Sequence, residues 1–120
     1  MASFKREVKN VAAAATAAFT RTSVTNADIL IGISIANTDA SATATVDVFI
    51  DNYDAASGGA VVSTTHLAKN LKIPAGSSVE VLSGKVVLLG NATDKYDQLS
   101  VKSTGAASDV CVSRLSDAAA

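Results

Sequence analysis

The sequence predicts an all-β chain, an antiparallel β-sandwich (jelly-roll or Ig-like) of about 7–9 short strands with an extended N-terminal arm. Three observations carry that prediction. The run Ile29-Leu30-Ile31-Gly32-Ile33-Ser34-Ile35-Ala36 places four isoleucines on every second residue, the period of a strand and not of a helix. Further alternating segments follow, punctuated by Gly, Pro, Asn and Asp in the manner of short antiparallel strands. The chain has 120 residues, enough for one core and too few for a second globular unit with a linker. Because strand side chains alternate between faces, the isoleucine run must lie against a second layer.

From the start, Phe4, Val8, Val11, Ala15 and Ala18 fall near helical spacing, and the alanines around them favour a helix. The β-branched Thr16, Thr20, Thr22, Val24 and Thr25 crowd the exit, and no Gly or Pro stops a helix before Ile29. The balance favours an extended arm, with Glu7 to Val11 as a strand or docked on a neighbour and Ala12 to Phe19 as a second strand. The expected division is residues 1–27 as arm and first strands, 28–116 as sandwich and 117–120 as tail. After the isoleucine strand, Asn37-Thr38-Asp39-Ala40-Ser41 favours a turn that opens a hairpin. Thr43 to Ile50 then buries Ala44, Val46, Val48 and Ile50 and exposes Thr43, Thr45, Asp47 and Phe49. Asp51 to Gly59 reads as a projecting loop. Val61 to Leu67 is a strand, and Asn70 to Ile73 leads into Pro74-Ala75-Gly76, composed as a type II turn. Val79 to Leu82 and Lys85 to Leu89, joined by Ser83-Gly84, read as a tight hairpin. Gly90 to Lys95 is a loop. Tyr96 to Ser103 and Val110 to Leu115 are the last strands.

The apolar content is thinner than its 48% suggests, because 23 residues are alanine while Val, Ile and Leu together number 28 and the aromatics five. Marginal stability is the rule for small domains, so a thin aliphatic core points to partner subunits that complete the burial. Ten basic and eleven acidic residues leave a net charge of -1. That lacks the positive footprint a phosphate backbone requires, so no nucleic-acid partner is expected. The basic group Lys5, Arg6 and Lys9 contains Glu7 and reads as a solvated face. Neither Ile29 to Ala36 nor Val86 to Leu89 approaches the ~20 apolar residues of a membrane helix, and no membrane partner is expected. Val11 to Ala18 is too weakly apolar for a signal-peptide core, so Asn91-Ala92-Thr93 reads as a coincidental sequon. The single Cys111 excludes an internal disulfide and suits a reducing cytoplasm.

No catalytic, cofactor-binding or metal-binding residue is predicted, and the chain is not expected to be an enzyme. His66 and Cys111 are the only imidazole and thiol. A Cys-His nucleophile pair would need the fold to join them, whereas a buried small side chain and a strand end are the ordinary roles of such residues. Four-ligand zinc cannot be built from two such residues. Asp51-Asn52-Tyr53-Asp54 and Asp94-Lys95-Tyr96-Asp97 each offer two carboxylates that converging loops could turn toward calcium, with solvated turns as the plainer reading. Neither phosphate-binding glycine pattern, G-x-G-x-x-G or G-x-x-x-x-G-K-[ST], is present. A glycan module is the remaining binding alternative, with Tyr53 and Tyr96 as its loop aromatics.

Several strings resemble small virion proteins of tailed bacteriophages, especially cyanophage-like ones. Ile31-Gly32-Ile33-Ser34-Ile35-Ala36-Asn37-Thr38 is similar to their IxGLxLAN strand. Ile73-Pro74-Ala75-Gly76-Ser77-Ser78-Val79-Glu80-Val81-Leu82-Ser83-Gly84-Lys85-Val86-Val87-Leu88 is similar to their PxPAGSSLEVLxGKxVL segment. Asp94 to Ser103 resembles GDxIxVxS, and Asp109 to Leu115 the closing VxVSxLE. The extra residues of Gly90-Asn91-Ala92-Thr93-Asp94 lengthen the expected Gly-Asp turn. The resemblance spans most of residues 28–116 and implies a non-enzymatic virion structural protein, first a capsid cement or decoration subunit and alternatively a neck or tail accessory. It implies the major capsid protein or neck and tail proteins as partners, self-association as a trimer, and residence in the virion after synthesis in the host cytoplasm. Met1 to Thr25 and Asp117 to Ala120, rich in small residues, would serve as clamps onto neighbours.

Overall fold

A computed structural model describes residues 3–19, 27–54, 60–82, 84–88 and 95–118. Among the described residues nine strands follow in chain order: β1 (Ser3–Val11), β2 (Thr16–Ala17), β3 (Ala27–Asn37), β4 (Ala44–Asp54), β5 (Ala60–Ile73), β6 (Ser78–Glu80), β7 (Val86–Leu88), β8 (Lys95–Thr104) and β9 (Ser108–Ala118). They form two antiparallel sheets. One has the order β1-β9-β3-β6 with β7 also on β3, and the other β2-β8-β4-β5. The predicted antiparallel sandwich is therefore the observed architecture. Its core is aliphatic: Leu30, Ile33, Ile35, Val110 and Val112 from the five-stranded sheet face Val46, Val48, Leu99 and Val101 from the four-stranded one, all buried.

Within the segment read as arm and first strands, Ser3–Val11 forms β1, hydrogen-bonded along β9 from Ser3↔Ser116 to Val11↔Ser108. Residues four apart satisfy both the helical and the strand period, and for Phe4 and Val8 the open edge of β9 decides in favour of a strand. The second predicted strand shrinks to Thr16–Ala17, paired with β8. Residues 20–26, including Val24 and its threonines, lie outside the described residues.

The isoleucine strand differs from its expected face. A register shift falls between Leu30 and Gly32 against β9. A bulge adds one residue and so exchanges inside for outside. Leu30, Ile33 and Ile35 are buried, while Ile29 is half-exposed and Ile31 points to solvent. The cause is local to Gly32, over which the Glu80 carboxylate folds. Glu80 Oε1 accepts the Ile33 N–H at 2.7 Å and lies 3.3 Å from where a Gly32 Cβ would stand.

Two expected hairpins are corrected. Residues 38–43 carry the chain from one sheet to the other, so β3 and β4 do not pair; β4 pairs β5 and β8 instead. Asn37 enforces this crossing. Buried, it donates from Nδ2 to Ala42 O at 2.7 Å and Ile73 O at 2.9 Å, and its Oδ1 accepts from Asp39 N. Asp39 then accepts the backbone N–H groups of Ser41 and Ala42, which with the Ala42 bond foremost hold its carboxyl below the ordinary value of 3.8. The second hairpin, Val79 to Leu89, is absent because β6 and β7 both pair with β3, at Ser34–Ala36 and Asp28–Leu30. They are two stretches of one interrupted edge, since the Glu80 side chain takes the Ile33 N–H that a continuing strand would have used. Ser83 and Leu89 lie outside the described residues.

The Pro74-Ala75-Gly76 turn is present, closed by Ser77 N–H to Pro74 O at 3.0 Å with Gly76 at φ 73°, as the third position of a type II turn requires. Upstream, the expected break before Asn70 is a bend inside a continuous β5. Asn70 takes φ 55° and donates its N–H to Asp47 Oδ1 at 2.8 Å, a conformation asparagine tolerates better than most residues. Gly105, at φ 84°, lies between β8 and β9 where a Cβ would meet Thr43 O at 2.6 Å, so the β3–β4 and β8–β9 connections pack against one another.

Candidate interaction surface

The outward faces of the sandwich are built from opposite materials. On the four-stranded sheet, β4 turns Thr45, Asp47, Phe49, Asp51 and Tyr53 outward opposite Lys102, Ser100 and Gln98 of β8 and Lys72, His66 and Thr64 of β5. Its polar groups are tied to each other. Lys72 Nζ donates to Thr45 Oγ1 at 2.9 Å and Thr64 Oγ1 to Asp51 Oδ1 at 2.7 Å.

The five-stranded sheet presents an apolar exterior. Among the described residues, the large hydrophobic side chains most open to solvent are Phe4 (81%), Val8 (68%), Val87 (48%) and Ile31 (40%), and all four point outward from this sheet. Register lines up Phe4, Leu115, Ile29 and Val87 across four strands. Next to them run Arg6, Ser113 and Gly32, and then Val8, Cys111 and Ser34. Large side chains thus flank floors of small ones. One trough is bounded by Phe4, Arg6, Ile31 and Ser113, and another by Val8, Ser34, Ala36 and Cys111. A contiguous apolar patch of this kind on a small domain marks a docking surface more often than an accident of composition.

The strand carrying Phe4, Arg6 and Val8 is held from beneath by a charge cluster. Arg114, 1% exposed, donates from Nη1 to Asp28 Oδ2 at 3.1 Å and from Nη2 to Glu7 Oε1 at 2.9 Å. Its guanidinium carbon stands 4.1 Å from the Phe19 ring centroid, a cation–π geometry, while Nε has no hydrogen-bond partner among the described residues. Gln98 Nε2 donates to Phe19 O at 2.6 Å and so fixes the ring's backbone. Sequence reading did not single out Arg114 or Asp28, yet the signal was present. Arg114 shares the parity of Val110 and Val112, and Asp28 that of Leu30.

Other singled-out residues are dispersed. His66 lies mid-strand and exposed on the four-stranded sheet, with its ring 5.5 Å from that of Phe49. Cys111 is half-exposed on the exterior of the other sheet and not in the core, because Val110 and Val112 take the inward positions. The thiol and the imidazole therefore sit on opposite outer faces and do not form a pair. Asp51 to Asp54 and Lys95 to Asp97 lie in β4 and β8, paired to each other as Asn52↔Asp97 and Asp54↔Lys95; they are strands, not loops. Asn52 Nδ2 donates to Asp97 Oδ1 at 2.9 Å. Among the described residues no three His, Cys, Asp or Glu side chains gather as a metal site would. Residues 55–59 and 89–94, including Asp94 and the sequon, lie outside the described residues.

The far edge of β1 is the open margin of the five-stranded sheet. Lys5, Arg6 and Lys9 on it oppose antiparallel pairing with a second β1, since like charges would meet across the new ladder.

In comparisons with known proteins, the chain is similar to a solved structure from Bacillus endospore appendages, described as a novel family of disulfide-linked pili. The TM-score is 0.50 and the identity 17%, with 98% of this chain and 87% of that chain covered. At that identity the likeness shows the sandwich fold alone. No protein-family profile matches the chain, and no curated protein matches it.

Proposed function

We propose that this chain is a non-enzymatic structural protein of a tailed-bacteriophage virion, a capsid cement or decoration subunit acting through contacts with the major capsid protein and with copies of itself. The observation that carries the reading is the apolar exterior of the five-stranded sheet, where Phe4, Val8, Ile31 and Val87 are exposed on a chain whose own core is thin. The resemblance of Ile73 to Leu88 to phage virion segments supplies the context. Arrayed subunits suit such a surface, because many equivalent weak contacts add.

Quantitative mass spectrometry of gradient-purified particles from the source of the gene tests the assignment. The expected result is the chain in tens to hundreds of copies per particle, with immunogold label distributed over the shell. Label confined to the neck or tail would move the subunit there, and absence from particles would contradict the assignment.

The likeness to pilus-forming endospore appendages favours a second reading, a filament subunit. Covalent linkage of the kind described for those pili does not transfer to this chain. A disulfide-linked polymer needs each subunit to bond two neighbours, and one cysteine per chain, Cys111, can bond only one. Electron microscopy of the concentrated chain separates the readings, with filaments favouring the second.

A further inference from the structure

We infer that the exterior of the five-stranded sheet is a self-complementary interface, on which a second copy of this chain packs face to face about a two-fold axis running along the strands between β3 and β9. The inference rests on the self-association within the proposed function and specifies its surface and symmetry.

Charge selects the axis. Arg6, exposed on β1, lies in one cross-strand row with Ser113 and Gly32. The Glu80 carboxylate, anchored by the Ile33 N–H, covers Gly32 from the opposite margin. The row therefore runs from a positive end to a negative end across a floor of serine and glycine. An axis along the strands reverses each row on its partner, so Arg6 of one copy stands over Glu80 of the other, twice per dimer. An axis across the strands would lay β1 over its own copy and bring Arg6 toward the partner's Arg6, like charge to like charge. Opposed charges of this type set register and exclude wrong pairings.

Shape agrees with the same axis. Reversal places Phe4 over the partner's Val87, and Leu115 over the partner's Ile29, apolar on apolar. It also sets Cys111 over the partner's Ser34, small on small, and Val8 over the partner's β6 at Glu80, whose carboxylate folds away toward Gly32. A closed two-fold covers the apolar face without leaving a surface for further copies, because an isologous contact consumes its own surface. Packed sheets lie about 10 Å apart, which brings the two Cys111 side chains within reach of a short bifunctional maleimide.

Sedimentation velocity on the purified chain, with circular dichroism to confirm the β signature of each variant, reads the outcome. The wild type should run as a dimer, and Val8→Asp should raise the dimer Kd by ~30-fold or more, because the new carboxylate replaces an apolar contact and falls opposite the partner's Glu80, at the far end of the row Val8, Cys111, Ser34. Arg6→Glu and Glu80→Lys should each weaken the homodimer by roughly tenfold, whereas an equimolar mixture of the two should recover to within about threefold of wild type, because each contact in the mixed dimer then joins opposite charges. Bismaleimide treatment should join two chains through Cys111. A monomer at every concentration, a trimer, or a mixture no stronger than its components would overturn the interface. Failure here is separable from failure of the virion assignment, since a dimer absent from particles refutes only the latter and an incorporated monomer only the former.

Discussion

The two exteriors of this sandwich use the same alternation to opposite ends. Outward positions of the four-stranded sheet are filled by groups that satisfy each other, as Lys72 does Thr45 and Thr64 does Asp51. Outward positions of the five-stranded sheet include Phe4, Val8, Ile31 and Val87, the large hydrophobic side chains most exposed among the described residues. Inward patterning makes both sheets fold; outward composition makes one of them a finished surface and the other half of an interface. A chain with a thin core can complete its burial through a neighbour.

The comparison breaks most severely at the cluster that fastens β1, because that strand carries half of the apolar exterior. Arg114→Ala leaves Asp28 buried without its guanidinium, and the loss of a buried ionic partner costs about 3–5 kcal/mol. Urea unfolding should show that loss, and hydrogen exchange should quicken along β1 before it quickens in β4 or β5. Slightly smaller is Asn37→Ala, which removes bonds to Ala42 O and Ile73 O. Buried hydrogen bonds lost in pairs are worth about 2–4 kcal/mol, and this loss should loosen both sheets together. Deleting Met1 to Val11 is a blunter instrument, for it strips buried Val11 from the core along with Glu7.

On the finished surface the effects shrink. Thr64→Ala removes one exposed hydrogen bond to Asp51 and should change stability by less than about 1 kcal/mol while leaving sedimentation unaltered. The least is expected at Asp39. Its pKa is lowered by bonds from Ala42 and Ser41, so its contribution is present above the ordinary carboxylate value and lost as pH falls through the lower folded value. Thermal melts of Asp39→Ala and wild type should therefore differ slightly at neutral pH and converge in acid.

How much of this was legible in the sequence follows from what alternation can encode. The faces of β4 were readable because Ala44, Val46, Val48 and Ile50 keep strict parity. The face of β3 was misread because its bulge at Gly32 depends on Glu80, forty-eight residues away in the chain, and parity carries no record of a distant side chain. The same carboxylate splits the expected hairpin into β6 and β7. Pairing of β3 with β9 in place of β4 was hidden for a related reason, since Asn37 reads locally as a turn residue whether the turn stays in its sheet or leaves it. The exterior was the least legible: Phe4 and Val8 satisfy two periods at once, and only the open edge of β9 shows which applies.

Sedimentation equilibrium of Val8→Asp beside His66→Asp decides which exterior mates, because the two substitutions place the same new charge on opposite faces. Dissociation of the first to 12.1 kDa with the second still dimeric is the predicted result. Equal behaviour of the two, whether both associate or neither does, would contradict the assignment of the five-stranded face as the mating surface.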